Sequence, residues 1–326
     1  MTAKQGAGAC SGGAGRPRLP GATITGWGTA LPDTVVTNAD FEARLDTSDA
    51  WIAERTGIRE RHFGGTTSGL AVEAARRALK VAGVEAEEID LLVLSTTTPD
   101  KTVPATSSAV HAELGCRGAA FDLNAACAGF VYALVTAVSM FQAGFSKALV
   151  IGADTLSRIT DMEDRSTAVL FADGAGALVL ESTPDHELVL GHDLGLDGSL
   201  LPILYCDHGE YMKMEGKEVF RRAVRATVES AESVLSATGT TGDDIALFVP
   251  HQANKRIIDA VAQRLGLDES RSAIVLDHTG NTSSASIPLA LSEAADAERL
   301  NDGDLVLMSG FGAGMTWATA LLRWGR

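Results

Sequence analysis

Positive charge is what this sequence has too little of. Against 42 Asp and Glu it carries 27 Lys and Arg, a formal net charge of −15. A nucleic-acid binder needs basic surface to displace counterions from phosphate, so that class is excluded. An acidic partner or an anionic cofactor would need a local basic patch to overcome this field. Cysteine is also scarce. Cys10, Cys116, Cys127 and Cys206 are widely spaced and form no C-x-x-C, so neither a disulfide framework nor a zinc site is indicated. Such usage fits a reducing, cytoplasmic compartment. Residues 1–20 lack the apolar core of a secretory signal and read as a flexible tail. One uncharged run, Leu123 to Ser146, is long enough to cross a bilayer. It contains Asn124, Gly129, Thr136, Ser139, Gln142 and Gly144 and is Ala-rich. It therefore reads as a buried core helix, and no membrane association is expected.

Small and apolar residues are plentiful: 34 Gly, and 45% hydrophobic residues overall. Tightly packed helix–sheet layers follow from that composition. Apolar runs at Leu91–Ser95, Ala148–Gly152, Ala177–Glu181, Ile245–Pro250 and Leu305–Ser309 predict strands covered on both faces. Helices are predicted over Leu70–Val81, Val219–Ser236 and Lys255–Leu265. The alternation is that of an α/β protein. An internal repeat adds more. Glu87 to Leu94 reads EEIDLLVL and Asp243 to Pro250 reads DDIALFVP, which places Ile89 and Ile245 156 positions apart. Asp122 matches Asp277, and Ala148–Ile151 matches Leu305–Met308, at nearly the same offset. Two duplicated halves are expected, 21–185 and 186–326, with a site where their strand ends meet.

Cys127 lies between an apolar segment and a long apolar helix, flanked by Ala125, Ala126, Ala128 and Gly129. A helix start favours thiolate over thiol, and small neighbours admit a substrate carbonyl. An inert core cysteine remains the other reading. His251 directly follows a buried strand, where α/β enzymes place their sites, but a loop histidine fits as well. Asn281 sits in a turn before an Ala-rich helix and is a turn residue on sequence alone. A Cys, a His and an Asn on separate strand–helix connections are nevertheless the parts of a thiol acyl-transfer site. Gly310-Phe311-Gly312-Ala313-Gly314 lacks the following helix that nucleotide binding requires; such a turn can present an N–H to an oxyanion. Asp173-Gly174-Ala175-Gly176 reads as a structural turn. Asp161, Glu163 and Asp164 lack a matching ligand set, so no metal is expected.

From about Ile24 onward the chain resembles the β-ketoacyl-acyl-carrier-protein synthase III family of the thiolase superfamily. The resemblance rests on Trp51-Ile52-Ala53-Glu54-Arg55-Thr56-Gly57-Ile58, Ala125-Ala126-Cys127-Ala128-Gly129-Phe130, Asp164-Arg165-Ser166-Thr167, Phe171-Ala172-Asp173-Gly174, Glu215-Gly216-Lys217, His251-Gln252-Ala253-Asn254 and Gly280-Asn281-Thr282-Ser283, in that order. It implies a thiolase-like five-layered αβαβα sandwich of two duplicated halves, usually a homodimer. It also implies decarboxylative Claisen condensation of an acyl-CoA with malonyl-acyl carrier protein, in fatty-acid or polyketide initiation. Cys127 would carry the acyl group, and His251 and Asn281 would hold the malonyl carbonyl. The N–H groups of Cys127 and Ala313 would form the oxyanion hole. Trp51, Arg55, Thr56, Arg165, Ala253 and Asn254 match coenzyme A positions. Arg221 and Arg256 match carrier-protein docking positions. Val103 stands where an aromatic gate reaches the acyl pocket across the dimer, and Phe311 is expected in that pocket. Coenzyme A enters as a thioester substrate, with no tightly bound cofactor. The alternative on the same fold is acyl transfer to an oxygen or nitrogen acceptor without decarboxylation. The family's usual Gly is replaced by Ala313, and the chain is shorter after Phe63 and around Cys206–Met214. These departures bear on the starter acyl group, not on the reaction type.

Overall fold

The computed structural model describes residues 18–325. The tail expected at 1–20 lies outside them except for its end, where Leu19 packs against the central core. Two sheets dominate. Strands β1 (Ala22–Ala30), β2 (Leu91–Ser95), β3 (Ala119–Leu123), β4 (Lys147–Thr155) and β5 (Asp173–Ser182) form the first, in the order β1-β5-β4-β2-β3. Strands β6 (Val189–Leu196), β7 (Ile245–Pro250), β8 (Leu305–Gly312) and β9 (Thr316–Arg323) form the second, in the order β7-β8-β9-β6. The chain leaves the first sheet at Ser182 and enters the second at Val189.

The helices are α1 (Asp49–Thr56), α2 (Thr67–Ala82), α3 (Thr106–Leu114), α4 (Gly129–Met140), α5 (Gly216–Thr238), α6 (Lys255–Arg264) and α7 (Ser286–Asp296). Helices α2 and α3 cover the outer face of the first sheet, and α5 with α6 covers the outer face of the second. Between the sheets lie α4 and α7, each touching both. This is a five-layered αβαβα sandwich of the thiolase type. The uncharged run around α4 is thus the middle layer of the protein. Phe130, Val131, Ala133 and Leu134 are fully enclosed there, and each large apolar side chain so buried contributes roughly 1.5–3 kcal/mol.

Local sequence explains the element ends. Helix α2 starts because Thr66 accepts from the Gly69 N–H, and it ends at Gly83 with φ +67, a left-handed cap that glycine adopts without strain. The repeat is topological as well. Parallel β2·β4 is matched by parallel β7·β8, and antiparallel β4·β5 by antiparallel β8·β9. The second sheet lacks a counterpart to β3. There the chain makes a single bridge, Phe248 to Ser272. The Gln252 carboxamide replaces the missing strand: its nitrogen donates to Ala273 O, and its oxygen accepts from the N–H groups of Val275 and Leu276.

One expectation is corrected. Asp173-Gly174-Ala175-Gly176 is not a turn but the buried start of β5. The absence of side chains lets α7 lie directly on the strand, since a Cβ at Gly176 would come within 2.8 Å of Pro288.

Candidate active site

The first half presents Cys127 on a strained elbow. Ala126 has φ +48, unfavourable for a residue with a Cβ. The Asn124 side chain holds the bend by accepting the Ala126 N–H at 3.1 Å. A tight turn over Ala126–Ala128 follows, and α4 begins at Gly129. The second half repeats this construction. Asn281 accepts the Ser283 N–H at 3.0 Å, Ser283 has φ +52, a tight turn covers Ser283–Ala285, and α7 begins at Ser286. Asp154, fully buried at the end of β4, ties the two elbows together. Its Oδ1 accepts from Thr96, Thr97 and Thr98; its Oδ2 accepts from the N–H and hydroxyl of Ser284 at 3.0 and 2.7 Å.

Two cavities meet at Cys127. The larger, about 260 Å³, is lined by Thr97, Asn124, Leu156, Ile159, Leu204, Cys206, Met212, Ser283 and Ala313, among others. The smaller, about 150 Å³, brings Cys127 together with His251, Asn281, Phe311, Ala253 and Asn254. Three residues from separate connections are therefore united around one cavity.

Electrostatics assigns the protons. Burial holds His251 down at about 3, so its ring is neutral at physiological pH. Its Nδ1 lies 2.7 Å from the Ser286 hydroxyl, and its ring meets Phe311 edge-on at 5.4 Å. The Asn281 carbonyl oxygen is occupied by Ser283, which leaves the amide N–H groups for a ligand. The thiol departs from expectation. Burial pushes Cys127 up to about 12; the Ser283 hydroxyl opposes this and the Asp154 carboxylate adds to it. A helix start is worth at most about 2 kcal/mol, roughly one and a half pH units, too little to reverse that desolvation. Cys127 therefore rests as a thiol and must lose its proton as it attacks. Alkylation by iodoacetamide is accordingly expected to accelerate about tenfold per pH unit up to about pH 9. A plateau below about pH 8 would show the helix start prevailing instead.

Gly312, on β8, controls access to the elbow. Its backbone is extended, with φ −160, so alanine is conformationally acceptable there. Space is not available: a Cβ would lie 2.5 Å from the Cys127 nitrogen and 2.8 Å from the Ala126 Cβ. Gly312→Ala is expected to slow acyl loading about 100-fold in single-turnover measurements, because a displacement of about 1 Å suffices for that. Ala313, the residue replacing the family's glycine, is not among the positive-φ residues, so its N–H orientation does not require glycine.

The remaining expected positions are distributed unevenly. Trp51 is stacked by the guanidinium groups of Arg55 and Arg165, each 4.9 Å from its ring. Asn254 donates to Arg55 O and caps α6, joining that cluster to the smaller cavity. Arg256 lies over Phe220 at 5.6 Å, and Arg221 is held by Glu218 on its own helix. Asp164 caps the short helix Arg165–Ala168. One placement differs from expectation. Thr56 is buried, and its hydroxyl is spent on Ile52 O and the Ile58 N–H at the end of α1. Phe311 lines the smaller cavity beside His251, not the larger one. Val103 lines neither cavity and is 81% exposed on its own chain. Ser286, Asp154 and the larger cavity's wall were not found from sequence. The Asn-x-Ala and Asn-x-Ser pairs at 124–126 and 281–283 share the repeat offset and are the signal that could have located the second elbow.

Chemistry on a thioester suits these surroundings: a thiol at the junction of two clefts, with a neutral imidazole and a carboxamide lining one of them. The class so defined is the thiolase-fold acyl-transfer enzymes. Comparison with known proteins narrows it. The family model described as 3-oxoacyl-[acyl-carrier-protein (ACP)] synthase III matches residues 121–198, and the model of its C-terminal part matches 235–324. A β-ketoacyl-[acyl-carrier-protein] synthase III of Rhizobium meliloti is 48% identical over 318 residues, covering 92% of this chain and 98% of that relative. The one of Rhodospirillum centenum is 51% identical with the same coverage. Among solved structures, 3-oxoacyl-[acyl-carrier-protein] synthase III from Aquifex aeolicus superposes with a TM-score of 0.92 at 44% identity, covering 93% of this chain and all of that one. The priming β-ketosynthase of the R1128 polyketide pathway gives 0.89 at 37% identity, covering 96% and 98%. The chain belongs to the β-ketoacyl-[acyl-carrier-protein] synthase III family.

Proposed function

We propose that the protein condenses an acyl-CoA starter with malonyl-acyl carrier protein, releasing CO₂ and giving a β-ketoacyl thioester that initiates a fatty-acid or polyketide chain. The observation that carries this reading is the smaller cavity, which Cys127, His251 and Asn281 line together. In the first step the Cys127 sulfur attacks the acyl thioester carbonyl, coenzyme A leaves as its thiol, and the acyl chain occupies the larger cavity. In the second step the malonyl thioester enters the smaller cavity with its carbonyl toward the His251 ring and the Asn281 amide. The bond to the carboxylate breaks, CO₂ departs, and the electron pair forms an enolate. Uncharged N–H donors fixed in place stabilise the growing oxyanion without reorganising. The enolate carbon then attacks the Cys127 thioester, whose oxyanion faces the N–H groups of Cys127 and Ala313. Collapse expels the Cys127 thiolate, which takes up a proton from solvent to restore the resting thiol.

Trp51 with Arg55 and Arg165 offers a stacking surface for the adenine of coenzyme A, and Ala253 and Asn254 line the path inward. Arg256, with Arg221, would meet the acidic carrier protein. A homodimer accounts for the exposure of Val103, which would then approach the acyl cavity of the partner copy. Cys116, Cys127 and Cys206 are all free thiols, in keeping with a reducing cytoplasm. Incubation with acyl-CoA and malonyl-carrier protein tests the reading. Stoichiometric CO₂ and β-ketoacyl product are expected. Acyl transfer to an oxygen or nitrogen acceptor without CO₂ would replace the proposal by its same-fold alternative.

A further inference from the structure

We infer that Ser286 is a positioning residue whose hydroxyl sets the tautomer of His251, leaving the imidazole proton on Nε2. The inference rests on the proposed condensation, in which His251 must donate to the malonyl carbonyl. Ser286 is fully buried at the first position of α7. Its oxygen lies 2.7 Å from His251 Nδ1 and 3.2 Å from the Gln252 backbone nitrogen. The Gln252 N–H can only donate, so it takes one lone pair of the Ser286 oxygen. If His251 Nδ1 also donated, the serine proton would need another acceptor, and none lies within hydrogen-bonding distance of this buried hydroxyl among the described residues. A buried O–H without a partner costs about 1–3 kcal/mol. The arrangement that satisfies all three groups has Ser286 donating to Nδ1 and accepting from Gln252. Nδ1 then has no proton, and the neutral ring carries its single hydrogen on Nε2.

Two consequences follow for the chemistry. His251 acts as an N–H donor beside the Asn281 amide, the pairing that an enolate oxygen requires. Nε2 also cannot accept the Cys127 proton, so acyl loading proceeds without His251 as base. The second elbow thus serves two ends. Asn281 at its start turns its amide N–H groups toward the cavity, and Ser286 at the head of the following helix fixes the partner ring.

Nitrogen NMR of full-length protein labelled with ¹⁵N-histidine reads the tautomer directly. Wild type is expected to show a pyridine-like Nδ1 and a pyrrole-like Nε2 for His251, assigned by loss of the signals in His251→Ala. Ser286→Ala is expected to abolish that fixed pattern and lower condensation about 10–100-fold while acyl loading stays within about twofold. Ser286→Thr keeps the hydroxyl and should restore both. A protonated Nδ1 in wild type overturns the inference, as does unchanged condensation in folded Ser286→Ala. If Ser286→Ala does not fold, the wild-type spectrum decides alone. Absence of CO₂ release by the wild type would count against the condensation reading, and the spectrum would still judge the tautomer.

Discussion

Cys127→Ala is expected to show no mass increase after incubation with acyl-CoA, whereas wild type gains one acyl group per chain. Steady-state condensation should fall by at least about 10³-fold, the scale on which loss of a covalent nucleophile operates. Fold is not at stake, because alanine occupies less space and Ala125, Ala126 and Ala128 already flank the position. The other described thiols cannot substitute. Cys116 is buried in the outer core of the first half, on the far side of that sheet. Cys206 shares the larger cavity, but its sulfur is turned to the carbonyls of Asp207 and Glu210. Labelling at Cys206 in the Cys127→Ala protein, with turnover preserved, would remove Cys127 from the mechanism.

Replacing the imidazole should divide the reaction at its midpoint. His251→Ala is expected to load acyl groups at close to the wild-type rate and to lose condensation by about 10²–10³-fold, the cost of deleting one donor to a developing oxyanion. Intact-protein mass spectrometry reads the first half and CO₂ release the second. The split follows from the neutral ring: a residue held near 3 by burial gains no proton at physiological pH, so it offers a hydrogen bond and no charge. Equal loss of loading and condensation would mean that His251 removes the Cys127 proton, contrary to the tautomer inferred above. Stability carries a related signature. Because the folded pKa of His251 lies below the ordinary histidine value, the unfolded chain binds more protons between about pH 3 and 6.5. Stability is therefore lost as pH falls through that window, contributed back as it rises.

Much of the architecture was readable along the chain. Leu91–Leu94 is apolar at every position because both faces of β2 are covered, and Leu305–Met308 repeats the pattern because β8 has the equivalent place in the second sheet. Gly174 and Gly176 misled. Glycine pairs usually mark turns, but here they admit a helix against a strand, and nothing local to the sequence distinguishes the two uses. The larger cavity was scarcely legible. Leu156, Leu204 and Met212 belong to different segments and become one wall only when β4 and the loops after β6 fold together. Thr56 shows the opposite failure: a motif position whose side chain faces inward to finish a helix.

What the sequence determined by itself was the periodicity of the elements, their duplication, and the placing of a cysteine, a histidine and an asparagine at strand ends. Each of these is local, set by side-chain spacing and turn chemistry. The tertiary structure alone decided that the three meet, that Cys127 is protonated, that His251 is neutral, and that Ser286 holds its ring. Proximity and protonation depend on which remote groups exclude water from a site, and that is settled only when the two halves pack.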